Sequence, residues 1–116
     1  MCGVKKGKIN YNGEEYNFDT EISESKMPVL VDFWAEWCSP CRSLSVVIEQ
    51  IAQDFQNLTI AKFNIDGNAN IPTKFSVRSI PTLILFKDSE QVAIKVGSTT
   101  KSELISWLND NGISKE

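Results

Sequence analysis

Cys38 and Cys41 stand two residues apart in the run Trp37-Cys38-Ser39-Pro40-Cys41. Thiols at that spacing can close a disulfide within one chain and reopen it, so thiol–disulfide exchange is the first chemistry to consider. The same pair could also be half of a zinc site or a structural staple. Asp32 lies six residues before Cys38, inside the apolar run Val29–Ala35. A carboxylate buried there would be desolvated and its pKa raised, and it could take the proton from Cys41 as that thiol attacks. The plainer reading is an interior aspartate with a structural role. Lys62, in the next strand-like run, could be its partner, although a lysine so placed commonly points to water.

These groups must be held by particular elements. Val29–Ala35 is apolar except at Asp32, which suits a central strand covered on both faces. From Pro40 the period changes. Leu44, Val47, Ile48, Ile51, Ala52 and Phe55 follow helical spacing over about four turns. Cys38 therefore sits at a strand-to-helix junction, where unpaired N–H groups and the helix dipole favour an anion. The thiolate is that anion and is the attacking species. The dipole supplies about 0.3–1 kcal/mol, which lowers a pKa by well under about one unit. Further activation needs hydrogen bonds, including one from Cys41 a turn later. Cys38 at the helix mouth would attack a substrate disulfide, and Cys41 would attack Cys38 and release the reduced product. Pro40 removes a donor that has no helical partner and fixes the first turn.

The rest of the chain supplies a frame. Thr59–Asp66, with Ala61, Phe63 and Ile65 on one face, reads as a strand parallel to the first across the helix. Asn70–Phe75 reads as a short helix, and Leu83–Phe86 with Gln91–Val96 as a hairpin around Lys87-Asp88-Ser89-Glu90. Leu104, Ile105 and Leu108 stripe a last helix, with Trp107 beside them, Thr100 and Glu103 as a capping box and Gly112 at its stop. Ile9–Phe18 around Asn12-Gly13 reads either as a hairpin or as a strand followed by a helix from near Phe18. The order predicts a single α/β domain with a small mixed sheet. Residues 1–17 form an N-terminal segment, 18–112 the domain, with its first strand lying within 7–17, and 113–116 a tail.

Composition narrows the function. The 116 residues hold no histidine, which removes the commonest general base and metal ligand. Structural zinc wants four ligands, so Cys2 and a carboxylate or a second chain would have to complete a site; no metal is expected. A net charge of −3 with scattered lysines and arginines argues against nucleic acid. Three cysteines are too few for a secreted disulfide scaffold. Met1–Asn10 has no apolar core of a signal peptide, and the apolar runs are too short to span a bilayer. The expected setting is cytoplasmic, away from membranes. Cys2 is expected to be an exposed thiol in a tail.

The run Val31-Asp32-Phe33-Trp34-Ala35-Glu36-Trp37-Cys38, then Pro40-Cys41, Ala61-Lys62-Phe63-Asn64-Ile65-Asp66 and Ile80-Pro81-Thr82-Leu83 closely resembles the thioredoxin family, from about Phe18 to Leu108. The resemblance implies the thioredoxin fold, a central mixed sheet flanked by helices, in a monomer. It implies that Cys38 is the nucleophile, Cys41 the resolving thiol, and Asp32 a buried acid/base with Lys62 nearby. Pro81, which composition alone gives no reason to think cis, would be cis and pressed against the dithiol. The Ile80 backbone would pair with an extended substrate segment, and Trp37 would line the substrate face with Ser39, Pro40 and Ser79. Val96 and Gly97 would form the opposite wall. The substrates would be protein disulfides. No cofactor would be bound, because electrons would come from NADPH through a flavoprotein reductase.

Several positions depart from that family's pattern. Ser39 and Ser79 replace glycines beside the first cysteine and before Pro81, Ser89 replaces a hairpin glycine, Val46 a helix-kinking proline, and Arg42 a lysine. Ser39 and Ser79 would put two hydroxyls around a groove that is usually apolar. The Ser39 hydroxyl could donate to the Cys38 thiolate and make the dithiol somewhat more oxidising; the plainer reading is a solvated serine.

Overall fold

The computed structural model describes residues 8–11, 27–55, 57–66 and 70–114. Along the chain these form β1 (Lys8–Tyr11), β2 (Val29–Trp34), α1 (Ser39–Asp54), β3 (Thr59–Asn64), α2 (Asn70–Lys74), β4 (Thr82–Lys87), β5 (Glu90–Val96) and α3 (Lys101–Asp110). The strands make one five-stranded sheet in the order β1-β3-β2-β4-β5. β2 runs parallel to β3 across α1, β3 is parallel to β1, and β4 is antiparallel to both β2 and β5. The β-α-β unit and the hairpin expected from the sequence are both present. β1 falls within residues 7–17 and pairs with β3. The stretch after Tyr11, over which the hairpin and strand-then-helix readings differ, lies outside the described residues, as does Cys2.

β2 sits in the middle because it has no polar face to give to water. Leu30 points to one side, where α1 and α3 bury Leu44, Ile48, Ile51, Leu104 and Leu108 against Ile60, Leu83 and Leu85. Val31 and Phe33 point to the other side, with Phe63, Ile84 and Phe86 packed under Phe75, Val77 and Ile80. Alternation along the strand therefore places Asp32, two residues after Leu30, on the face that α1 covers.

Local chemistry sets the ends of these elements. The Thr100 hydroxyl accepts from the Glu103 N–H and the Glu103 carboxylate accepts from the Thr100 N–H, the expected capping box. At the other end of α3, Gly112 has φ +85°, its N–H donates to Asn109 and the Ile113 N–H donates to Leu108. This is a Schellman stop, and it returns Ile113 to the core at 2% exposure. A two-residue turn joins β4 to β5, with Asp88 at φ 52° and Ser89 at φ 71°. Both positions are left-handed, the combination that a type I′ turn requires.

Candidate active site

α1 opens on Cys38. The cysteine is the N-cap, in extended conformation, and its sulfur accepts the Cys41 N–H at 3.2 Å. That is the place where a serine or aspartate oxygen usually satisfies a free helical N–H. A sulfur there is held by a donor that favours its charged form, beside the positive end of a 16-residue helix. Cys38 and Cys41 are joined as a disulfide, with Cα atoms 5.2 Å apart. Both are nearly covered, at 6% and 2% exposure, in a small cluster with Ala35 against which Trp34, Ile65 and Ile80 pack. Ser39 and Pro40 form the exposed first turn.

A guanidinium closes this turn from outside. Arg42 donates to the Glu36 carbonyl at 2.6 Å and to the Ser39 hydroxyl oxygen at 3.2 Å. In the disulfide form, Ser39 is thus an acceptor for Arg42, and its O–H remains available as a donor. Val46, where the family usually has proline, is 61% exposed in an uninterrupted helix.

Asp32 is fully buried, and neither of its carboxylate oxygens has a hydrogen-bond partner among the described residues. Burial raises its pKa to about 6, and the nearby Lys62 ammonium partly opposes the rise. Asp32 and Lys62 are register neighbours on β2 and β3. The Lys62 ammonium nevertheless donates to the Ser45 hydroxyl at 2.7 Å and lies over the Trp34 ring, 5.1 Å from its centre. The anticipated neighbour is present, but its hydrogen bond goes elsewhere.

The loop before β4 forms the second side of the site. The Ile80–Pro81 peptide is cis. Ile80 packs against the cysteine cluster, and the Gly97 N–H donates to the Pro81 carbonyl at 2.8 Å. Val96, 62% exposed, is the register partner of Thr82. Gly97 has φ +95°, which a side chain would strain. Ser79 is exposed, and its carbonyl accepts from the Thr82 hydroxyl at 2.6 Å. A groove of about 250 Å³ runs between Trp37 and this loop, lined also by Ile65, Pro72, Val77, Arg78, Ser79 and Ile80. Trp37, 67% exposed, anchors its indole N–H on Asp66 at 3.1 Å.

The fold therefore brings Trp37, Ser79 and Ile80 to one groove and sets Val96 and Gly97 beside Pro81. It also adds residues that sequence reasoning did not assign to the site: Ser45, Asp66, Pro72, Val77 and Arg78. Ser45 left a faint signal, as a hydroxyl beside the apolar stripe of α1, four residues after Cys41.

The chain is similar to known proteins of one family. The thioredoxin family model matches residues 10–110. The chain belongs to the thioredoxin family. It is 50% identical over 101 residues to a thioredoxin of Rickettsia bellii, covering 86% of this chain and 96% of that protein. It is 45% identical over 101 residues to a thioredoxin of Pseudomonas aeruginosa, covering 86% and 94%. A solved mutant thioredoxin from Halobacterium salinarum superposes with a TM-score of 0.82 at 31% identity, covering 95% of each chain. The fold is the thioredoxin fold, and the chain is a protein-disulfide oxidoreductase working by dithiol–disulfide exchange. Among the described residues, no group of three or more His, Cys, Asp or Glu side chains could hold a metal ion, and no helix is long and apolar enough to cross a membrane.

Proposed function

We propose that the chain reduces disulfides of partner proteins, with Cys38 as the attacking thiolate, Cys41 as the resolving thiol and Asp32 as its proton acceptor. The observation that carries this reading is the Cys38 sulfur at the N-cap of α1, stabilised by the Cys41 N–H and paired with Cys41 as a disulfide. In the first step the Cys38 thiolate bonds to one substrate sulfur, and the other leaves with the electron pair and takes a proton. In the second, Cys41 gives its proton to Asp32 and its sulfur bonds to Cys38. The Cys38–substrate bond breaks, and the substrate sulfur leaves as a thiolate that is then protonated. The substrate has gained two electrons and the chain is left oxidised.

The partner segment would lie along the Trp37 groove, with the Ile80 backbone pairing to it as an added strand and with Ser39, Pro40, Pro81, Val96 and Gly97 around it. Lys62 supports Asp32 electrostatically. The oxidised chain needs an outside source of two electrons per turnover, which an NADPH-dependent flavoprotein reductase would supply. A monomer in the reducing cytoplasm fits that cycle, because the dithiol must be regenerated each time.

The test is NADPH-coupled reduction of a protein disulfide with a flavoprotein thioredoxin reductase. Wild type should turn over, and Cys41→Ser should instead accumulate partner proteins as mixed disulfides on Cys38. Equal turnover by both would refute the assigned roles.

A further inference from the structure

The Lys62 ammonium is in an unexpected place. Its register neighbour on β2 is a buried carboxyl with no hydrogen-bond partner among the described residues. Hydrogen bonds from an ammonium to a carboxylate are about twice as strong as those between neutral groups. Lys62 instead donates to a neutral hydroxyl, that of Ser45 at 2.7 Å, and rests on the face of Trp34. Two features therefore hold the cation against α1: an acceptor on the helix and a ring at the end of β2.

The groups around Asp32 come from three elements. β3 supplies Lys62, and β4 supplies the uncharged Leu83 in register. α1, packed on the same face, carries Cys41 and Ser45, while its Arg42 turns outward to Glu36 and Ser39. Among the described residues, Lys62 is thus the cation whose position bears on Asp32, and Ser45 is its hydrogen-bond acceptor.

We propose that Ser45 is a positioning residue: it holds the Lys62 ammonium on α1 and off the Asp32 carboxyl, and so keeps Asp32 basic enough to receive the Cys41 proton. The second half rests on the proposed role of Asp32 as proton acceptor. An Asp32 ion-paired to Lys62 would be a weaker base, because the paired carboxylate is stabilised relative to its acid. Held apart, the carboxyl keeps the basicity that burial gives it, while the cation remains close enough to temper it.

The experiment follows the Asp32 carboxyl by carbon NMR as a function of pH in the oxidised protein. Ser45→Ala should free Lys62 to bond Asp32 and lower its midpoint by about one unit or more. Ser45→Thr, which keeps the hydroxyl, should restore the wild-type midpoint. In a Lys62→Met background, Ser45→Ala should leave the midpoint in place, because there is no cation to release. A folded Ser45→Ala protein with an unchanged or raised midpoint would overturn the placement, as would an equal fall in the Lys62→Met background. The catalytic half is read separately, from the rate at which Cys41 resolves a preformed mixed disulfide across pH. The acid limb should move down with the Asp32 midpoint in Ser45→Ala. An Asp32→Asn protein with the wild-type pH profile would refute Asp32 as proton acceptor and with it the catalytic half, while the NMR result still decides where Lys62 is held.

Discussion

Asp32 should make the folded protein less stable as pH rises through the weakly acidic range. Its pKa is about 6 in the fold and 3.8 for an ordinary aspartate, so between these values the folded state keeps a proton that the unfolded chain has released. Stability therefore falls with rising pH from about 4 and levels off above about 6. A shift of about two units, at about 1.4 kcal/mol each, makes the loss about 3 kcal/mol. The cause is the transfer of a charge into a site where no described residue donates to it, only partly offset by Lys62. Asp32→Asn should remove this contribution to the pH dependence. Urea unfolding of the two oxidised proteins should give curves whose separation grows by about 3 kcal/mol between pH 4 and pH 8, in favour of the variant. With a slope of about 1–3 kcal/mol per molar, the midpoints would diverge by a further 1–3 M or so. Comparing the separation at two pH values cancels any fixed cost of the amide. Curves that stay parallel from pH 4 to pH 8 would refute the reasoning.

Single contacts carry the other expectations. Ser39→Gly should make the dithiol more reducing by about 10–30 mV, the equivalent of a hydrogen bond worth about 0.5–1.5 kcal/mol in the reduced form; an unchanged or more oxidising potential against glutathione would count against a bond from Ser39 to the thiolate. Thr100→Ala should cost about 1 kcal/mol in a denaturant titration, because it opens the α3 capping box; no loss would mean that the helix start is held by packing alone. Ser89→Gly should stabilise by about 0.5 kcal/mol, since glycine relieves a left-handed serine but loses more chain entropy. A lower melting temperature would show that the serine gains something at the turn that its backbone angle does not reveal.

Much of the frame was legible because one-dimensional patterns encode it. The Leu44, Ile48 and Ile51 stripe requires a helix with one buried side, and a strand apolar on both faces must lie inside. Thr100, Glu103 and Gly112 carry the ends of α3 in their own chemistry. The cysteine pair was legible for the same reason, since both thiols and the helix that activates them are contiguous. Features that depend on strand register were less visible. Trp37 and Asp66 are 29 residues apart and meet only because β2 and β3 run in parallel register. The cis bond before Pro81 has no signature in the local composition and was expected only from family resemblance. Register also puts Lys62 beside Asp32, but a periodic pattern cannot say which acceptor a flexible ammonium takes. That choice is made by Ser45, on a helix that the β2–β3 pairing does not include.

Two of the departures from the family pattern, Ser39 and Arg42, share a location with Ser45 in the opening turns of α1. Ser39 and Arg42 lie in the first turn of α1, and Arg42 ties the helix start to the Glu36 carbonyl and the Ser39 hydroxyl. Ser45, one turn on, ties the same helix to β3 through Lys62. None of these side chains belongs to the apolar core clusters, so substitutions there need not disturb the packing that forms the fold. Each touches a group beside the chemistry: Ser39 adjoins Cys38 in sequence, and Lys62 flanks Asp32 in the sheet. The opening turns of α1 are thus where an unchanged sheet and dithiol can be adjusted in proton affinity and potential. By that logic, exchanging Ser39, Arg42 and Ser45 together should shift the pH profile and potential while leaving the stability of the core nearly as it was.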